Sequence, residues 1–234
     1  MAELDDPDFE LDVLYGVNGL ADGLPGWARS AVTLVGEWGL PLVLVGLVLV
    51  AWLLVRRRPD AAQAVPGCLW ALLAAGVTCL ANVPIRSFVA RSRPHENHPD
   101  LTVLIPEKDG YSFVSDHAGV AMAIAVGLFL VHRTLGLLAL ALALAQGVAR
   151  VVLGVHYPTD VVGGYALGMA VALLLAPLAL AALTPLVRLG AGTRWLGWLL
   201  GPSGTAASRL AGGNAAVGRG PAQPAGTGRP ARSG

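Results

Sequence analysis

The chain has 234 residues, 55% of them hydrophobic and 13% charged, with a formal net charge of +1. Soluble domains carry about 25% charged residues, so this composition excludes an ordinary water-soluble fold, and its near-zero charge gives no reason to expect a nucleic-acid partner. The apolar residues gather in long blocks, the pattern of an integral membrane protein.

The N-terminal stretch 3–24 holds seven of the fifteen acidic residues, and Leu11, Leu14, Val17 and Leu20 recur at near-helical spacing. That pattern predicts a short amphipathic helix at the membrane interface over 1–24. An acidic start without an early apolar core predicts no cleavable signal peptide. A first span is expected over 27–55, stopped by Arg56–Arg58, and a second over 65–85. After a polar loop, a third span is expected over 118–131 and a fourth over 135–148, with His132, Arg133 and Thr134 making the turn between them. A fifth is expected over 161–187, where Pro177 and Pro185 are candidate kinks because proline removes a backbone donor and clashes with the preceding turn. Each block approaches the ~20 residues that cross ~30 Å of hydrocarbon, and the third and fourth must recruit their polar flanks to do so. Cys68 and Cys79 lie in one apolar block and read as packing residues. From 201 to 234 the composition turns to Gly, Ala, Pro, Ser and Arg, which predicts a disordered tail. The expected fold is therefore all-α, a polytopic membrane bundle of about five transmembrane helices plus an interfacial helix, with residues 25–200 forming the embedded domain.

With five spans, the turn at Arg56–Arg58, the turn at His132–Arg133 and the Arg-bearing C-terminus share one side, which the positive-inside rule makes cytoplasmic. The 86–113 loop and the 150–160 connection then face outward, carrying Arg86, Arg91, Arg93 and Lys108 against that rule. A bound anion is one explanation for such cations, and snorkelling to anionic headgroups is another.

Three stretches on this outer face hold the chemistry. In "IRSFVARSRP", Arg86 and Arg93 stand two helical turns apart and would share a helix face, and each carries a planar donor fork suited to phosphate. In "SFVSDHAG", Ser115 is a good N-cap, the free N–H groups behind it suit an anion, and His117 is a candidate proton donor. In "ARVVLGVHYPTDVVGG", Arg150, His156 and Asp160 meet in one loop, and a carboxylate four residues from an imidazole can fix its tautomer. Each stretch has a bland reading as a cap or an interfacial cation. Together they place Arg, His, Ser and Asp on one face of a bundle otherwise poor in polar groups, as phosphoryl transfer without a metal would require. "HENH" (95–98) lacks a third ligand for a metal site.

These residues resemble the type 2 phosphatidic acid phosphatase superfamily, which shares its site with bacterial acid phosphatases and vanadium haloperoxidases. The family pattern of Lys, six residues and Arg-Pro is matched by Arg86 and Arg93-Pro94. Pro-Ser-Gly-His becomes Val114-Ser115-Asp116-His117, and Ser-Arg, five residues, His, three residues and Asp becomes Ala149-Arg150, His156 and Asp160. Asp116 in place of Gly, with the "LIP" stretch at 104–106, is similar to undecaprenyl pyrophosphate phosphatases of the bacitracin-resistance type. The match covers about 80–170. The resemblance implies that His156 attacks phosphorus, Asp160 orients it and His117 protonates the leaving group. It also implies a phosphate-binding set of Arg86, Arg93, Ser115, Asp116 and Arg150, with no metal and no cofactor. The expected substrate is a lipid phosphate, foremost a polyprenyl pyrophosphate, handled at the outer face of a bacterial cell membrane. Phosphatidic acid, phosphatidylglycerol phosphate and a prenyl-phosphosugar remain alternatives, as does a non-catalytic anion-binding transport component.

Overall fold

The computed structural model describes residues 7–105, 110–191, 193 and 197–200. The expected tail at 201–234, Lys108 and Pro106 of the "LIP" stretch lie outside the described residues. Among the described residues all regular structure is helical: α1 (Asp8–Asn18), α2 (Gly26–Leu34), a π-helical turn (Val35–Gly39), α3 (Leu40–Val55), α4 (Ala61–Val89), α5 (Pro94–Asn97), α6 (Asp116–Val131), α7 (Arg133–Val152), α8 (Pro158–Leu174) and α9 (Ala176–Ala191). The expected membrane helix bundle is what forms.

α2, the π turn and α3 make one helix of 30 residues, and it, α4 and α7 are each long and apolar enough to cross a membrane. α8 and α9 meet at a 52° bend and make a fourth span if taken together. The bend falls at Leu175, immediately before the first turn of α9, where Pro177 has no N–H to return to Leu173. α9 runs on through Pro185, so only one of the two candidate prolines marks a break.

α6, at 16 residues, is shorter than these spans and is the central helix. It is buried from Ala118 to Leu128 except at Val120, enclosed by α3, α4, α7 and α8. Small residues allow that enclosure. A Cβ at Gly168 would stand 2.2 Å from the Gly119 carbonyl oxygen, and one at Gly164 would stand 2.6 Å from that of Ser115. α6 and α8 therefore touch backbone to backbone. Trp70 donates to the Ala172 carbonyl at 3.0 Å and joins α4 to α8. Tyr165 bonds the Ala143 and Leu144 carbonyls and joins α8 to α7. Leu42, Leu49, Leu72, Leu80, Leu137 and Leu178 face outward, the surface a bilayer would cover.

α1 lies across the ends of α7 and α8. Its inward face is Glu10, Leu14 and Asn18, four residues apart, whereas Leu20 of the expected apolar stripe is exposed. Asn18 bonds Thr102 and the Val152 carbonyl, which ties α1 to the loop before α6 and to the end of α7.

Candidate active site

α4 carries Arg86 in its last turn and ends at Ala90, whose φ of 51° is left-handed. The chain then runs extended to Arg93 (φ −77°, ψ 154°), as the residue before a proline must, and Pro94 opens α5. Arg86 and Arg93 thus do not share a helix face as their spacing predicts, because the helix stops between them. They still meet at one site. Arg93 is buried and donates from Nε to the Gly110 carbonyl at 2.9 Å and from Nη1 to the Val155 carbonyl at 3.0 Å, one residue before His156. Burial, reinforced by Arg86 and Arg150, lowers its pKa from the ordinary value.

His156 sits in the turn between α7 and α8 and is 4% exposed. Its Nδ1 is 2.9 Å from the Ser112 carbonyl and 3.7 Å from Asp160 Oδ2. A carbonyl only accepts, so Nδ1 carries the proton and Nε2 keeps its lone pair. Ser112, which the motifs do not include, is therefore the direct partner, and Asp160 stands behind it as a nearby charge. The reason is local: Asp160 lies in the first turn of α8, where Oδ2 accepts from the Tyr157 N–H at 2.9 Å and Oδ1 from Arg91 at 3.1 Å. Burial, only partly opposed by Asp160, lowers the pKa of His156 and so favours the neutral ring.

Ser115 stands at the N-cap of α6, as expected, but its hydroxyl makes no cap bond. Its backbone N–H donates to the Asp160 carbonyl at 3.0 Å, which sets the start of α6 against the start of α8. Asp116 accepts from Asn82 at 2.6 Å and from Arg86. It engages a cation rather than offering a donor to an anion, unlike the other members of the expected phosphate-binding set. His117 Nε2 lies 3.7 Å from Glu37 Oε1, and Arg150, fully buried, donates to Glu37 Oε2 at 2.6 Å.

Three further residues complete the arrangement without belonging to any motif. Glu37 is the one acid inside the first span. Glu10 of α1 is 3% exposed and holds Arg91 at 2.9 Å, and it also bonds Thr159. Arg91 stacks 3.7 Å over the Tyr157 ring and clasps α1 to α8 through Glu10 and Asp160. Its place among the cations of the 86–113 loop is the sequence signal for it. In "HENH", His98 stacks edge-on against Tyr15 and Tyr157. Among the described residues no group of three or more His, Cys, Asp or Glu side chains is set to hold a metal ion.

Four donors on the motif residues lie buried with no hydrogen-bond partner among the described residues: Ser115 Oγ, Arg150 Nε, Arg150 Nη2 and Arg86 Nε. A buried unsatisfied donor costs about 1–3 kcal/mol, and more when charged. Such a set suits an oxyanion. Beside it, a groove of about 250 Å³ runs from Asp116 and His117 past Leu44, Val120 and Ile124. A wider chamber of about 670 Å³ opens between α2 and the loop at Val103–Ile105.

Guanidinium groups and an oriented histidine lie at one end of an apolar helix bundle, an arrangement suited to a membrane phosphatase. The PAP2 superfamily pattern matches residues 67–183, and the chain belongs to that superfamily. It is similar to decaprenylphosphoryl-5-phosphoribose phosphatase of Mycolicibacterium smegmatis, 34% identical over 165 residues, covering 68% of this chain and 83% of that one. It is also similar to undecaprenyl-diphosphatase BcrC of Bacillus subtilis, 34% identical over 96 residues, covering 39% of this chain and 49% of that one. The match thus spans about half the length of the BcrC relatives. Among solved structures, Aquifex aeolicus LpxE shares the fold at a TM-score of 0.55 and 20% identity, over 74% of this chain and 98% of that one.

Proposed function

We propose that this chain removes the terminal phosphate of a polyprenyl pyrophosphate at the outer face of a bacterial cell membrane. The observation that carries this reading is the set of buried, unpartnered donors on Ser115, Arg86 and Arg150, together with the buried His156 ring that Ser112 orients. Arg93 adds a further buried guanidinium. His156 Nε2 attacks the terminal phosphorus, the bond to the bridging oxygen breaks, and that oxygen takes a proton from His117 and leaves as the lipid monophosphate. Water then attacks the phosphohistidine, loses its proton to His117, and releases inorganic phosphate with His156 restored. Asp160 stabilises the charge that the ring gains during attack. The Arg and Ser donors hold the equatorial oxygens. The apolar groove beside His117 supports a hydrocarbon-bearing leaving group, because it begins where that group would be protonated.

A second reading is favoured by the longer match: a prenyl-phosphosugar phosphate of the decaprenylphosphoryl-phosphoribose kind, served by the same catalytic set. Purified protein in detergent, given a panel of undecaprenyl pyrophosphate, a prenyl-phosphosugar phosphate, phosphatidic acid and phosphatidylglycerol phosphate, separates them. The highest kcat/KM is expected on the pyrophosphate, and the absence of phosphate release from every member would remove the enzyme reading. His156→Ala is expected to abolish turnover and the acid-labile phosphoenzyme of the unmutated protein. Turnover surviving that substitution would require a different nucleophile.

A further inference from the structure

The first span departs from α-helical geometry once, at Val35–Gly39, where five residues form a π turn around Glu37. One extra residue in a turn rotates the remainder of the helix by about 100°, and such bulges recur at functional sites. Here the bulge is held from both sides. The Gly36 carbonyl accepts from the buried side chain of Gln146 on α7 at 2.7 Å. A Cβ at Gly36 would lie 3.0 Å from Leu153 and 3.3 Å from Ala149, so the first span sits against α7 at van der Waals limits. The residue carried on this support is the one carboxylate of a span that is apolar from Leu40 onward, and an acid at membrane depth is costly unless it is paired.

We infer that Glu37 is a positioning residue for phosphate binding: its carboxylate holds one edge of the Arg150 guanidinium so that the other edge faces the phosphoryl group. Glu37 Oε2 engages Nη1 at 2.6 Å, while Nε and Nη2, the adjacent pair that grips an oxyanion with two parallel bonds, are buried and unpartnered among the described residues. The same carboxylate reaches toward His117, with Oε1 3.7 Å from Nε2, so one side chain sets the relation between the phosphate fork and the proton donor. None of the three sequence motifs contains it. The inference rests on the phosphatase reading, which supplies the phosphate.

The test is binding of inorganic phosphate to the full-length protein in detergent, measured by calorimetry, together with steady-state kinetics on the lipid substrate. Glu37→Gln is expected to weaken phosphate binding by about tenfold or more and to raise KM by a similar factor with a smaller change in kcat. In a double-mutant cycle with Arg150→Lys, the two losses are expected to be far from additive. Should Glu37→Gln fail to fold, Glu37→Asp, which keeps the charge and shortens the reach, is expected to weaken phosphate in the same direction. Tighter phosphate binding in either variant would mean that Glu37 competes for the phosphate position. Unchanged binding, or additive losses, would make it a plain neutralising partner; each of these results overturns the inference. Because calorimetry needs no turnover, phosphate bound by a protein that hydrolyses no lipid phosphate would refute the proposed function while leaving the role of Glu37 measurable.

Discussion

Asp116 is the side chain at which this chain departs most informatively from its motif, and its contacts give the departure a physical meaning. With Oδ2 on Arg86 and Oδ1 on Asn82, it fixes the only motif cation contributed by α4 and ties it to the start of α6. Glycine there would release Arg86. Asp116→Gly is therefore expected to cut kcat/KM on the pyrophosphate relative to phosphatidic acid by about tenfold, the worth of one charge-assisted contact, as a two-substrate comparison would read. His156 gives a prediction with a definite sign. Attack requires neutral Nε2, and burial lowers the pKa of the ring, so the neutral form persists as pH falls below the ordinary imidazole value. The acidic limb of kcat/KM assigned to this group, which reports the free enzyme, is expected below about pH 6.5, and a limb above it, in a pH–rate profile, would contradict the burial argument. His156, His117, Arg150 and Asp160 were legible because short motifs hold them at fixed spacing. Ser112 and Glu37 were not, because each is joined to the site across the fold rather than along the chain.

At the scale of elements, the crossing of α6 and α8 places Ser115 against Asp160. Gly119, Gly164 and Gly168 bring the two backbones into contact, and there is no flexible side-chain end to yield. Gly168→Val is expected to destabilise the protein by about 1–3 kcal/mol through overpacking, lowering the thermal midpoint by about 2–4 °C for each kcal/mol, and to lose most activity because α6 is pushed off α8. Gly46→Ala is the control. Nothing lies within 4 Å of a Cβ there, so a neutral or slightly raised midpoint is expected. The spans themselves were readable from hydropathy, their ends less so. The break between Arg86 and Arg93 depends on Ala90 and on the residue preceding Pro94, and the bend at Leu175 used one of two equivalent-looking prolines.

For the whole molecule, the charged turns separate to opposite ends of the bundle. Arg57 and Arg58 come after α3 at one end, and the site with α5 and the Thr102–Ile105 loop lies at the other. An outward-facing site predicts that a reagent unable to cross the membrane labels Glu96→Cys but not Arg57→Cys in intact cells, in a background with Cys68 and Cys79 replaced. Labelling of the second alone would invert the orientation. At this scale α1 has a role beyond surface attachment, since Glu10 reaches Arg91 and Thr159 beside Asp160.

Apolar block length by itself determined a helical membrane bundle, and the spacing of three motifs picked out the candidate site residues, because both are properties of local chain order. Which partners those side chains take was decided only when the helices packed. Ser112 against His156, Glu37 against Arg150 and Glu10 against Arg91 are contacts across 44, 113 and 81 residues of sequence. Each satisfies a charge or ring nitrogen that burial would otherwise penalise, and that penalty exists only in the folded bundle.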